Sequence, residues 1–260
     1  MYDRLITEVA SAAREAGAAI LEVYKTDFNV EHKADNSPLT VADKRSHEII
    51  VRRLCGIENA PFPVLSEEGR DIPYESRRNW EYFWVVDPLD GTKEFVKRNG
   101  EFTVNIALVH KDRPVLGVIY VPVRETIYCA ALGSGVYRED KDGREKLPLK
   151  QRPEHFTVAG SRSHANKELT SFIETAKMRY GEVDVISAGS ALKFCLVAEG
   201  RADVYPRFGP TMEWDTAAGH IIVEEAGGSA SKSLTYNKPN LVNGNFLVAG
   251  PRYDISDYVP

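Results

Sequence analysis

Apolar residues recur at helical spacing near the start of the chain. Leu5, Val9, Ala13, Ala16, Ile20 and Val23 share one face of a helix predicted over residues 3–24. A polar stretch follows. Thr40 then stands where an N-cap is expected, ahead of a second helix to about residue 54, with Asp43 at its third position. The period changes in the middle of the chain. Phe102, Val104, Ile106 and Leu108 alternate with Thr103, Asn105, Ala107 and Val109, which predicts a strand. Further strands are predicted at 115–121 and 126–131, with tight turns at 111–114 and 122–125. Connections this short permit antiparallel neighbours and exclude helical crossovers. The charged stretch 138–153 predicts a loop and a lobe boundary, dividing the chain into 1–152 and 153–260. Beyond it, helices near 167–179, 191–199 and 215–226 alternate with strands near 157–159, 183–186 and 202–204.

A chain of 260 residues can build one large domain or two compact lobes, each with its own core. A hydrophobic fraction of 43% and a charged fraction of 27% are those of a soluble globular protein. The net charge of −5 argues against a coat for nucleic acid polymers, because there is no global basic field. A small anionic substrate answers to local charge and stays open. No apolar run approaches the roughly 18 residues of a transmembrane span, and Glu8, Arg14 and Glu15 interrupt any signal-peptide core. Cys55, Cys129 and Cys195 are far apart and in no CxxC pattern, so they read as reduced thiols of a cytosolic protein.

The most informative stretch is Trp84-Val85-Val86-Asp87-Pro88-Leu89-Asp90-Gly91-Thr92. An apolar strand is predicted to end at Asp87, with Pro88 preventing immediate helix formation and Gly91 allowing a sharp turn into a short helix over 92–97. Two carboxylates and the Leu89 carbonyl can then converge, and the amides of Gly91 and Thr92 lie at a helix N-terminus that favours phosphate. Hard oxygen ligands beside a phosphate cradle describe a magnesium site. Alone, this turn is as readily structural, since Asp, Pro and Gly are the usual turn residues. Glu67 and Glu68 follow an apolar segment at another strand end, and Asp215 precedes a small-residue helix. Each has a bland reading, as a solvated turn and a helix cap; together the three acidic sites favour chemistry.

Leu65-Ser66-Glu67-Glu68, Asp87-Pro88-Leu89-Asp90-Gly91-Thr92 and Trp214-Asp215-Thr216-Ala217-Ala218-Gly219, followed by Glu225-Ala226-Gly227-Gly228, resemble the inositol monophosphatase-like family in order and spacing over nearly the whole chain. Residues 93–103, 192–200 and 205–210 are similar to its bacterial 3′(2′),5′-bisphosphate nucleotidase branch. The resemblance implies an α/β (α+β) fold, a layered α-β-α-β-α sandwich of two lobes with a mostly antiparallel N-terminal sheet and a smaller C-terminal α/β lobe. It implies Glu67, Asp87, Asp90, Asp215 and the Leu89 carbonyl as ligands of two magnesium ions, with a third ion near Glu67 as a further family feature. Gly91 and Thr92 become the phosphate cradle, and lithium sensitivity is expected.

The segment Ser37-Pro38-Leu39-Thr40-Val41-Ala42-Asp43 resembles the family segment whose aspartate, with the Thr92 hydroxyl, orients the attacking water. Taken alone, Thr-x-x-Asp favours a helix cap; the resemblance favours catalysis, and the two roles are compatible. Thr92 taken alone is an ordinary first-turn helix residue. Catalytic roles are thus expected for Asp43, Thr92 and Glu67. The substrate is expected to touch Glu67, Leu89, Asp90, Gly91, Thr92, His164, Ser190, Lys193, Arg207 and Asp215. Arg suits bidentate phosphate recognition and Lys supplies a point charge, so Arg207 and Lys193 are favoured over Arg162 as nucleotide contacts. The expected substrate is adenosine 3′,5′-bisphosphate or its sulfated form, in sulfur metabolism. An inositol-phosphate phosphatase, a fructose bisphosphatase of the same superfamily, or an inactive nucleotide-binding regulator are the alternatives. The sequence leaves the oligomeric state open. Peripheral association with the inner membrane is implied by the resemblance alone.

Overall fold

A computed structural model describes residues 2–26, 30–32, 38–150, 152–161, 167–253 and 255. Two helices open the chain, α1 (Tyr2–Tyr24) and α2 (Val41–Cys55), with Asp43 in the first turn of α2. The Thr40 side chain, the expected cap, lies outside the described part. Between the helices, β1 (Val30–His32) and β2 (Pro38–Thr40) pair antiparallel. The chain continues through β3 (Val64–Ser66), a 3-10 turn at Glu67–Gly69, α3 (Tyr74–Arg77), β4 (Tyr82–Asp90) and α4 (Thr92–Val96). Then come β5 (Thr103–His110), β6 (Arg113–Val121), β7 (Thr126–Ala131), β8 (Gly135–Asp140) and β9 (Gly143–Lys146). Among the described residues β3 to β9 form a seven-stranded sheet in sequence order, antiparallel except for β3 beside β4.

The rest of the chain is β10 (Phe156–Ser161), α5 (Lys167–Tyr180), β11 (Val183–Ala188), α6 (Leu192–Glu199), β12 (Val204–Arg207), β13 (Thr211–Met212) and α7 (Glu213–Glu225), followed by β14 (Ser229–Ala230), β15 (Val242–Asn243) and β16 (Phe246–Ala249). A five-stranded mixed sheet has the order β11-β10-β12-β16-β14, and β13 pairs with β15 apart from it.

Period-two alternation sorts the side chains of the large sheet onto two buried faces. Trp84, Val86, Ile106, Leu108 and Val118 join Val9, Ala13, Ile20 and Ile50 of α1 and α2 in one core. Phe83, Val85, Ala107, Val109 and Ile119 turn to the other face, where they meet α6 and α7. The same core continues through those helices to Ala159, Tyr205 and Val248 of the second sheet. A third core lies between that sheet and α5, around Phe156, Val158, Leu169 and Leu247. The layers are therefore α1/α2, sheet, α6/α7, sheet, α5, which is the expected sandwich.

The structure differs from the sequence reading in two places. The stretch 138–153 is not one loop: its first part is the β8–β9 hairpin, held by Arg138–Glu145 at 2.8 Å and Arg144–Glu139 at 2.6 Å, with β9 exposed along its length. A strand whose side chains are charged carries no apolar period. The predicted strand at 202–204 begins instead at Val204 and runs to Arg207. One core also runs across the 152/153 boundary, from the large sheet through α6 and α7 to the second sheet. Helix α6 is buried along its whole length, so it serves both sheets at once. Close approach of the middle layer depends on small residues: a Cβ on Gly117 would stand 2.5 Å from Ile221 Cγ2, and one on Gly219 would stand 2.3 Å from Phe194 Cγ.

Candidate active site

In a regular strand, residues three apart point to opposite faces, so Asp87 and Asp90 should diverge. They do not, because β4 bulges between them. Asp87 pairs with Asn105 and Asp90 with Thr103, three residues on one strand against two on the other. The extra residue returns Asp90 to the face that carries Asp87, Phe83 and Val85. The strand thus continues past Asp87 to Asp90, rather than ending at Asp87 as predicted. Leu89 N donates to Asp87 Oδ1 at 3.1 Å, and Asn105 Nδ2 donates to Asp90 Oδ2 at 3.2 Å. Thr103 Oγ1 stands 3.5 Å from the same oxygen. Gly91, at φ 90°, turns the chain into α4, and Thr92 Oγ1 lies 3.5 Å from the Leu89 carbonyl.

Three other elements deliver acids to this strand end. The parallel register Ser66↔Val86 brings Glu67, the next residue, alongside Asp87. Helix α2 is tied to the turn by Ser46 Oγ donating to the Pro88 carbonyl at 2.7 Å, and Asp43 lies one helical turn earlier, fully buried. Asp215 sits at the third position of α7, inside the helix rather than before it, and its Oδ2 accepts from Met212 N at 2.8 Å.

The electrostatics show how tightly these acids crowd. Burial drives the Asp87 carboxyl well above the carboxylate range, reinforced by Glu67, Asp90, Asp215 and Asp43. Asp90 is raised to about 6, mainly by burial, with Lys193 and the Asn105 hydrogen bond working the other way. Asp215 is raised to about 8, again by burial first and by Asp90 next. Lys193 is buried and pushed down to about 8, against the pull of Asp90. Among the described residues no three His, Cys, Asp or Glu side chains close into a ready-made ligand cage. The fit to a divalent cation rests on the donor chemistry: hard carboxylate oxygens converge, and their crowding adds to the raised proton affinity of Asp87, Asp90 and Asp215. A cation there would relieve that repulsion.

A cavity of about 140 Å³ opens between Asp90, Gly91 and Glu94 on one side and Ser190, Lys193, Arg207 and Asp215 on the other. Lys193 Nζ donates to the Ser190 carbonyl at 2.7 Å and stands over the Tyr205 ring. Arg207 Nη2 donates to the Pro210 carbonyl at 3.1 Å, while its buried Nε has no hydrogen-bond partner among the described residues. Ser190 is drawn to the wall of the cavity. Its Oγ lies 2.9 Å from the Asp90 carbonyl and 2.6 Å from that of Glu101, joining the two lobes. Its φ of 48° and the Gly189 N–H bond to Glu101 Oε2 at 3.0 Å belong to the same junction. A larger apolar groove of about 520 Å³ lies behind, lined by Pro206 of β12 and by Phe208 just after it, while Tyr205 and Arg207 face the charged cavity.

All the expected ligands, cradle residues and catalytic groups thus lie at one junction, together with Ser190, Lys193 and Arg207. His164 and Arg162 lie outside the described residues. Sequence reasoning gave no role to Ser46, Asn105, Glu94 or Glu101. Glu94 and Glu101 fall in the branch-like segment 93–103; Ser46 and Asn105 are a helix residue and a strand residue without a local signal.

The profile of the inositol monophosphatase family matches residues 1–252. The 3′(2′),5′-bisphosphate nucleotidase CysQ of Escherichia coli strain K12 is 45% identical over 253 residues, covering 94% of this chain and 99% of that one. The crystal structure of CysQ from Bacteroides thetaiotaomicron is 46% identical, covers 96% of this chain and 98% of that one, and superposes with a TM-score of 0.86. The extragenic suppressor protein suhB of Bartonella henselae is similar at 26% identity and a TM-score of 0.74, with 95% and 94% of the two chains covered. Among the described residues, no helix is long and apolar enough to cross a membrane.

Proposed function

The chain belongs to the inositol monophosphatase family, and from that premise we propose that it is a magnesium-dependent 3′(2′),5′-bisphosphate nucleotidase. It releases the 3′-phosphate of adenosine 3′,5′-bisphosphate, or of the sulfated analogue, as inorganic phosphate. The observation that carries this reading is the buried Asp87 carboxyl, crowded by Glu67, Asp90, Asp215 and Asp43, with Lys193 and Arg207 on the same cavity. Residues 1–152 supply most of the acids, and residues 153–260 supply Asp215 and the basic groups.

Glu67, Asp87, Asp90 and Asp215, with the Leu89 carbonyl, are the oxygen donors that would hold the magnesium. Magnesium bound there supplies Lewis-acid polarisation of the phosphoryl oxygens and makes the attacking water more acidic. Asp43 accepts the proton of that water, and the Thr92 hydroxyl orients it. The amides of Gly91 and Thr92 donate to the phosphate oxygens. Arg207 and Lys193 hold the far end of the substrate, using charge-assisted hydrogen bonds that fix its direction.

The test compares kcat/KM for adenosine 3′,5′-bisphosphate and inositol 1-phosphate in wild type and in Arg207→Ala. Wild type should prefer the nucleotide, and the variant should lose about tenfold to a hundredfold of that preference, as for a hydrogen bond to a charged group. Preference of wild type for inositol phosphate would leave a general phosphomonoesterase of the same family. An unchanged ratio in Arg207→Ala would remove that residue from substrate recognition.

A further inference from the structure

Asp215 is held by more than its own helix. The residue that donates to it through its N–H, Met212, is itself gripped at its carbonyl: Asn243 Nδ2 donates to the Met212 oxygen at 3.0 Å. The same amide lies 3.1 Å from Thr216 Oγ1 and 3.3 Å from Thr211 Oγ1, so it faces residues on both sides of Asp215. Asn243 is buried, and it lies on β15, which pairs with β13 (Thr211–Met212) immediately before α7.

The orientation of this amide is fixed from behind. Lys238 Nζ donates to Asn243 Oδ1 at 2.9 Å, and a lysine ammonium has no acceptor. The amide oxygen must therefore point to Lys238 and the NH₂ to Met212 and Thr216. Lys238 is anchored in turn by Glu213 Oε1 at 2.7 Å and the Thr235 carbonyl at 2.6 Å. Glu213 is fully buried and also accepts from Asn237 N and Lys238 N at 2.7 and 3.0 Å. The chain of contacts starts and ends on the first turn of α7, from Glu213 through Lys238 and Asn243 to Met212 and Asp215.

We infer that Asn243 is a positioning residue for Asp215, aiming its carboxylate into the cavity by holding the backbone of Met212, whose N–H donates to it. This rests on the reading of Asp215 as a metal ligand. Nothing in the local sequence marks Asn243, because an Asn-Gly pair reads as a turn. The physical reason for such a device is the helix itself. A first-turn acid that accepts its own N-cap amide is already satisfied locally, and without a brace its turn is free to fray. Bracing the cap residue from β15 holds the carboxylate at the cavity wall.

The test is a calorimetric titration of magnesium into chelator-treated full-length protein, for wild type, Asn243→Ala, Asn243→Leu and Asp215→Asn. Asn243→Leu keeps the heavy-atom count and the branch at Cγ while removing both donors, so it serves where Asn243→Ala does not fold. Both Asn243 variants should bind magnesium about tenfold more weakly, the loss of a hydrogen bond or slightly more. In turnover, the half-saturating magnesium concentration should rise by a similar factor, with KM for the nucleotide bisphosphate within about twofold of wild type at saturating metal. A lowered melting temperature with wild-type magnesium binding would overturn the inference and leave Asn243 a structural residue. Wild-type magnesium binding by Asp215→Asn would sink the ligand reading itself, and the positioning role with it.

Discussion

At the end of β4, Asp87 and Asp90 are set by what lies nearest to them: a proline, a bulge, the Leu89 amide and the facing Asn105 on the next strand. At the start of α7, Asp215 is set by the Met212 amide and, behind it, by Asn243 and Lys238, more than twenty residues further along the chain. Asp90 of the first region and Asp215 of the second, both half-buried, line one cavity. The acids, proline and glycine of the first lie in one short stretch and read directly from the sequence, although its bulge and Asn105 do not. The second is assembled by strand pairing, and its supporting residues have no local pattern. A ligand can thus be legible while the groups that aim it are not.

The comparison breaks most sharply under substitution of the ligands themselves. Asp90→Asn should remove turnover beyond the about 10²–10³ that loss of one electrostatic donor costs, and Asp215→Asn should behave alike while the fold survives. Steady-state kinetics at saturating magnesium, with far-UV circular dichroism on the same samples, would decide this. Near-normal turnover in either variant removes that residue from the metal site.

Asp43 probes the third support, the helix that Ser46 ties to the Pro88 carbonyl. Loss of a general base should lower kcat by about 10²–10⁴. Loss of a helix cap should instead cost about 0.5–2 kcal/mol of stability. Asp43→Asn is expected to lose turnover, and thermal unfolding measured beside it shows how much of the second role it also carries. Unchanged kcat with a lowered melting temperature would leave Asp43 a cap.

The smallest expected effect is in the pH dependence of stability without metal. Asp90 and Asp215 are raised to about 6 and about 8, so between roughly pH 4 and 8 the folded chain binds more protons than the unfolded one. Their contribution therefore destabilises the metal-free protein progressively as pH rises through that window, and levels off above it. Asp215→Asn should flatten the upper part of the slope and Asp90→Asn the lower part, while added magnesium should stabilise wild type increasingly as pH rises. Melting temperatures from pH 5 to 9, with and without magnesium, test this. Identical slopes in wild type and both variants would contradict it.

The fold was legible wherever apolar period was strong. Helices α1 and α2 and strands β5 to β7 fall within a few residues of their predicted bounds. Strands β13 to β15 and the β8–β9 hairpin were not legible, being two residues long or dominated by charge. The strand 102–109 shows the limit of alternation as a signal. Ala107 and Val109 are as buried as Ile106 and Leu108, because helices cover both faces.

The sequence by itself determined the chemistry available to this protein: three acidic motifs, a glycine turn with free amides, and basic residues late in the chain, in the order the inositol monophosphatase family uses. Those are local properties, since the acid, its neighbours and its turn residues are adjacent in the chain. What the tertiary structure alone decided is how those groups face one another. The bulge turns Asp87 and Asp90 to one side, α7 lies close enough to β6 that Gly117 has no room for a side chain, and Asn243 reaches Met212. Each depends on the register of strands distant in sequence, which no local pattern encodes.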